Sequence, residues 1–182
     1  MVKSIVIVGG SSDIAKSTIS SISTENYKFH ALVRDDSHTD ELSDLGVNVI
    51  LGDATSEEDI KNFISGVKES GEIHAILHCV GSFAVRPPHA MNKEAFEAVI
   101  STNLTSAFLT LSIAGKAMLS QGHSRMVFMS SVAGSLGLVN HEAISAAKGG
   151  IESMVRSAAA TYANRGLRIN AVAPGLTDTK LA

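Results

Sequence analysis

Three features of this sequence combine residue types and spacings that could do chemistry. The first is the run Gly9, Gly10, Ser11, Ser12, Asp13, Ile14, Ala15, which follows a short apolar stretch and opens onto a segment of helical period. Glycines at the carboxyl end of a strand let backbone N–H groups and a helix N-terminus meet a pyrophosphate. The same run would also make a plain tight turn, with Asp13 capping the helix. The second is Lys148, set in the middle of the apolar stripe Ile144, Ala147, Ile151, Val155, Ala158 and Tyr162. A lysine so placed either runs its stem along the apolar face to water or points at an anionic or hydroxylated group. The third is Asn103, inside the stripe Phe96, Val99, Ile100, Leu104, Ala107, Phe108 and Leu111, which helical spacing puts on one face. A buried amide must find hydrogen-bond partners, in the core or in a site.

The elements that must position these groups follow from the apolar runs at 5–8, 28–33, 47–51, 73–78, 125–129 and 167–173. Each reads as a strand, and longer segments of helical period separate them, so a parallel sheet covered on both faces is expected. Thr55 with Glu58 three residues on forms a capping box that should start a helix, and Pro87 with Pro88 breaks the chain before the next one. At 182 residues, with 45% hydrophobic and 18% charged residues, the chain suits one globular α/β domain over 1–182. A net charge of −3 with no basic run gives no stripe for nucleic acid. The single cysteine, Cys79, excludes an intrachain disulfide. The run at 5–8 closes on two glycines, as a strand does and a signal peptide does not. No stretch is expected to supply the roughly 20 apolar residues of a membrane span. A cytoplasmic protein with a small-molecule partner, and no metal site, is the expectation.

Further segments match a family pattern in chain order. Val8 to Ala15 is similar to Thr-Gly-x-x-x-Gly-x-Gly, with Asp13 and Ala15 at the later glycines. Asp53, Ala54 and Thr55 match an Asp-Val-Thr-like segment, and His78, Cys79, Val80 and Gly81 stand at Asn-Asn-Ala-Gly with only Gly81 retained. Asn103 in Thr102-Asn103-Leu104, Ser131 in Ser130-Ser131-Val132-Ala133-Gly134, Lys148 of Tyr-x-x-x-Lys, and Pro174-Gly175 with Thr179 complete the set. The chain thus resembles the short-chain dehydrogenase/reductase family over nearly its whole length. The resemblance implies a doubly wound Rossmann sheet of strand order 3-2-1-4-5-6 and hydride transfer between a nicotinamide dinucleotide and a carbonyl or alcohol. Gly9, Ser11, Ser12, Ile14, Arg34, Asp53, Ala54, Gly81, Lys148, Pro174, Gly175 and Thr179 would contact that cofactor. Ser131 would hydrogen-bond the substrate carbonyl, Lys148 would hold the nicotinamide ribose and lower a neighbouring pKa, and Asn103 would position a water in a proton relay.

Cofactor choice is expected to favour NADP(H). Val33 stands where NAD-specific relatives place an acidic residue, and Arg34 could meet a 2′-phosphate; Asp35 and Asp13 oppose this, so NAD(H) stays open. One position breaks the pattern: four residues before Lys148 is Ile144, where the family has its proton-donating tyrosine. Neither Tyr27 nor Tyr162 is in register to replace it. His141 and Glu142, about one turn earlier, are the nearest titratable groups, and His141 falls near the same face; it is equally readable as an exposed helix-start residue. The family's substrate-covering segment and seventh strand are expected to be absent. A homodimer or homotetramer through 96–118 and 144–162, the latter rich in small residues, is also expected. Two rival readings remain: a dinucleotide-binding protein of the same fold that has lost catalysis, and a Rossmann-like enzyme using a different nucleotide.

Overall fold

Strands buried on both faces must be apolar at consecutive positions, and the central strand here is: Val6, Ile7 and Val8 have no exposed surface. The computed structural model describes residues 3–22 and 25–181. Its strands are β1 (Lys3–Val8), β2 (Tyr27–Val33), β3 (Val47–Leu51), β4 (Ile73–His78), β5 (Arg125–Met129) and β6 (Arg168–Val172). They form one parallel sheet in the order β3-β2-β1-β4-β5-β6. The expected runs therefore hold to within a residue or two at their ends.

Helices α1 (Asp13–Ser21), α2 (Thr39–Asp44), α3 (Glu57–Glu69), α4 (Lys93–Ile100), α5 (Ser106–Met118) and α6 (Glu142–Tyr162) cover the sheet. Alternate strand residues point to opposite faces, and the core divides accordingly. Val6, Val8 and Leu32 pack with Ile60 and Ile64 of α3, Leu111 of α5 and Ile151 of α6. Ile5, Ile7 and Phe29 pack with Ala15 and Ile19 of α1 and Leu42 of α2.

Two local expectations are corrected. The cap of α3 is Ser56, whose hydroxyl accepts from Asp59 N at 3.2 Å. Thr55 is drawn away because Asp53 Oδ1 accepts both its N–H and its hydroxyl, each at 2.8 Å. Likewise the N-cap position of α1 is Ser12, and Asp13 is the first helical residue.

The stripe around Asn103 is also not one continuous face. A π-helical turn, Ser101–Thr105, joins α4 to α5, and such a turn inserts an extra residue that rotates the helix beyond it. Small Ser106, Ala107 and Thr110 are then buried, while Phe96 and Phe108 are 40% and 55% exposed. Together α4, the wide turn and α5 span 26 residues, Lys93–Met118, with a mean hydropathy of 1.4 in the best window. By length and composition that would suffice to cross a membrane, contrary to expectation; its buried residues pack in the core under the sheet.

Candidate functional site

The sheet order reverses between β1 and β4, and a crevice opens beyond their carboxyl ends, as doubly wound sheets require. Gly9 and Gly10 make it by close packing of the chain on itself. Gly9 has φ +86°, and a Cβ there would sit 2.8 Å from Val80 N; one on Gly10 would sit 2.6 Å from Ala31 Cβ. The tight turn thus has its own steric cause, and it aims the start of α1 into the crevice.

The larger cavity, about 700 Å³, is lined by Gly9, Ser11, Ser12, Asp13, Ile14, Arg34, Asp53, Ala54, Gly81 and Thr179, among others. Arg34 is exposed at its rim. Asp35 lines the same cavity beside it and caps a 3-10 turn, Asp36–His38, its carboxylate accepting from Ser37 N at 3.2 Å and from the Ser37 hydroxyl. Those two bonds hold the Asp35 carboxyl below its usual range. Asp53 is lowered in the same way by Thr55.

A second cavity, about 320 Å³, shares Ser12, Ile14, Cys79, Val80, Gly81, Thr179 and Leu181 with the first. Asn103, Ser131, His141, Ile144, Lys148, Pro174 and Gly175 all line it. Every site residue expected from the sequence therefore borders one of two adjoining cavities. Glu142 lies exposed on α6 and lines neither.

Asn103 is fully buried in the π-helical turn. Its Nδ2 donates to Val99 O and Ser82 Oγ, both at 2.9 Å, and its Oδ1 accepts from Ser82 N at 3.2 Å. The amide is thereby fixed against the loop after β4. Lys148, 6% exposed, donates from Nζ to Met129 O at 2.9 Å, and burial pulls its pKa down to about 8. A Cβ on Gly81 would lie 3.3 Å from Asn103 Oδ1 and 3.5 Å from Lys148 Nζ. The missing side chain leaves the space between these two polar groups.

Ser131 precedes the 3-10 turn Val132–Gly134, and its Oγ accepts from Ala133 N at 3.2 Å, which leaves the hydroxyl hydrogen free to donate. His141 stands at the N-cap of α6. Its Nδ1 is 2.7 Å from Val139 O, and Phe83 meets the ring edge-on at 5.8 Å. A carbonyl only accepts, so Nδ1 carries the hydrogen and Nε2 is left for a ligand. Ile144, 4% exposed, fills the wall between His141 and Lys148 along α6.

Three groups near the site were not singled out for roles by the sequence. Ser130 Oγ bridges the Lys148 carbonyl at 3.0 Å and Glu152 Oε1 at 2.9 Å, tying α6 to the end of β5. The pair shares no local sequence pattern, being 22 residues apart. His78 is wholly buried, with its pKa pushed down to about 3. Ser106 Oγ gives its hydrogen to Thr102 O at 2.6 Å and so accepts from His78 Nε2 at 3.1 Å, which makes His78 the neutral Nε2–H tautomer. Cys79 is pushed up to about 12 by burial and stays a thiol. Its place beside Gly81 in the matched segment was the one available signal for either residue. Among the described residues no group of three or more His, Cys, Asp or Glu could hold a metal ion.

Comparison with known proteins agrees with this fold. The short chain dehydrogenase family matches residues 3–182. Cis-4-hydroxycyclohexanecarboxylate dehydrogenase of Sinomonas cyclohexanicum is 35% identical over 131 residues, 71% of this chain and 53% of that protein. The 3-oxoacyl-acyl-carrier-protein reductase MabA of Mycobacterium tuberculosis is 28% identical over 180 residues, 98% of this chain and 71% of that protein. The crystal structure of levodione reductase superposes with a TM-score of 0.93 at 25% identity, covering 98% of this chain and 73% of that one. The chain thus spans from about half to about seven tenths of the length of these relatives. With a match from the first strand to the last residue, this chain belongs to the short chain dehydrogenase family.

Proposed function

We propose that the protein is an oxidoreductase that moves a hydride between NADP(H) and a small carbonyl or alcohol compound. The observation that carries this reading is the buried ammonium of Lys148, which faces the same small cavity as Ser131 and Asn103, next to a cleft large enough for a dinucleotide. The cleft fits such a group: the start of α1 faces it, Arg34 is exposed at one end beside the Asp35 and Asp53 carboxylates, and the gap left by Gly81 lies at the other.

When bound, the dinucleotide would supply or accept the hydride. The chain does the rest. One Lys148 N–H is anchored on Met129 O, and the others would hold the ribose hydroxyls and keep positive charge beside the reacting oxygen. Ser131 would donate its free hydroxyl hydrogen to the substrate carbonyl. Asn103 would hold a water between Oδ1 and Lys148, across Gly81. His141, fixed through Nδ1–H on Val139 O, would as the imidazolium give its Nε2 proton to the substrate oxygen and be left neutral, or as the neutral ring take that proton at Nε2 in the reverse direction.

Arg34→Ala should weaken NADPH binding about 10-fold or more and leave NADH nearly unchanged, because a guanidinium–phosphate pair is charge-assisted. Calorimetric titration with both dinucleotides checks this. NADH binding tighter than NADPH in the parent would reverse the cofactor assignment. Turnover of a panel of carbonyls and alcohols with either dinucleotide tests the activity itself.

Ile144 supports a second reading, a dinucleotide-binding protein of the same fold without catalysis, since its side chain offers no proton. Binding of NADPH with no turnover on any substrate would favour it. We also propose a homodimer or homotetramer through α4, α5 and α6, where Phe96 and Phe108 stand exposed. The glycines of α6 contribute less to such a contact than their sequence suggests. A Cβ on Gly149 would lie 3.0 Å from Gly134 O and one on Gly150 2.9 Å from Leu104 Cδ2, so both serve packing within the chain.

A further inference from the structure

The segment after β6 crosses the mouth of both cavities. At one end it is tied to β5 and the turn beyond: Ser130 N donates to Val172 O at 2.7 Å and Val132 N to Pro174 O at 3.0 Å. At the other end Lys180 N donates to Asp13 Oδ2 at 2.8 Å, on the first turn of α1. In the sheet β4 lies between β5 and β1. The chain between the two ties must therefore pass over the carboxyl end of β4, where Cys79, Val80 and Gly81 form the wall common to the cavities. Thr179 and Leu181, on either side of Lys180, line both.

Capping does not explain Asp13, because Ser12 holds the N-cap position. The carboxylate is held below its usual range by the Lys180 N–H first and by Lys16 next. Lys16 Nζ lies 3.4 Å from Asp13 Oδ1 and 3.0 Å from Glu41 Oε2. A negative charge on the turn that would face a pyrophosphate has the wrong sign for anion binding; it suits the dipole of α1, and it also grips the Lys180 N–H.

We propose that Asp13 is a positioning residue that latches the 174–181 segment across the dinucleotide cleft, so that admission and release of the dinucleotide wait on opening of the Asp13–Lys180 hydrogen bond. This rests on the reading that the cleft holds a nicotinamide dinucleotide. Two effects of Asp13 oppose each other: its charge repels phosphate, which speeds release, and its latch retards release. Two substitutions separate them. Asp13→Asn removes the charge but keeps an amide oxygen that can accept from Lys180 N, whereas Asp13→Ala removes both.

The measurement is stopped-flow release of NADPH, followed by its fluorescence, from the parent and the two variants. Asp13→Ala should release NADPH about 5- to 10-fold faster, less than the full worth of a charge-assisted hydrogen bond because the lost repulsion of phosphate offsets part of it, and Asp13→Asn no faster than the parent. In the free protein, hydrogen exchange at the Lys180 amide should be slow in the parent and in Asp13→Asn, and fast in Asp13→Ala. Equal release from the two variants, an unchanged rate in Asp13→Ala, or an unprotected Lys180 amide in the parent would each overturn the latch. Absence of any NADPH or NADH binding by the parent would overturn the cofactor reading and the latch together, a result distinct from normal binding with equal release rates.

Discussion

Lys148→Met should slow turnover about 10²- to 10³-fold, the usual cost of removing one preorganised electrostatic donor, while making the free protein harder to unfold. Both effects come from the same burial. The folded pKa of Lys148 is about 8, against 10.5 for an ordinary lysine. At about 1.4 kcal/mol per unit this is roughly 3 kcal/mol of destabilisation, set against about 1 kcal/mol for the bond to Met129 O. Methionine of similar length would relieve most of the difference. Because the folded pKa is depressed, the unfolded chain binds more protons between pH 8 and 10.5, and the parent gains stability as pH rises through that window. The advantage of the methionine variant should be full below pH 8 and fade towards pH 10.5, which thermal unfolding at several pH values will read. In the parent, kcat/KM should fall as pH rises through about 8, where Lys148 loses its charge in the free enzyme. A methionine variant that is less stable than the parent at neutral pH, or equally active, contradicts this account.

The second large effect concerns the proton. A positioned general acid contributes about 10² to 10⁴ in rate, and along this wall His141 is the histidine that can take the part, with Ile144 beside it. On a confirmed substrate His141→Ala should lose turnover within that range and keep its affinity for NADPH, since His141 does not line the larger cavity. Ile144→Tyr should restore turnover to His141→Ala and raise it in the parent. Ile144 packs with Val99, Ala133, Ala143 and Ala147, and its open side is the second cavity, so a longer ring can extend there towards Ser131 and Lys148. Steady-state kinetics on the three variants suffice. If His141→Ala is as fast as the parent, the proton comes from elsewhere.

Much of this arrangement was legible in the sequence because it depends on local pattern. Strands buried on both faces write themselves as unbroken apolar runs, and the runs ending at Val8, Val33, Leu51 and His78 end there in the sheet. Lys148 and Asn103 stood out as polar groups inside apolar stripes, and both are buried at the site. The features that could not be read depend on contacts between distant residues or on departures from the regular period. A 3.6-residue template has no place for the π-helical turn, so it put Phe108 inside. Thr55 and Ser56 are equally good caps by type, and only the pull of Asp53 decides between them. Asp13 was readable only as a helix cap or as a charge opposing NADP(H), because its partner, Lys180, lies 167 residues away.

Cys79 gives the molecule a chemical clock. It is the sole thiol in the chain, and with its pKa pushed up to about 12 only about 10⁻⁵ of it is thiolate at pH 7, against a few per cent for an unperturbed cysteine. Alkylating reagents attack the thiolate, so they should pass over the folded protein although the residue borders both cavities. The rate at which one label is taken up therefore counts openings of the sheet around β4, with no engineered probe and no second site to confuse the reading.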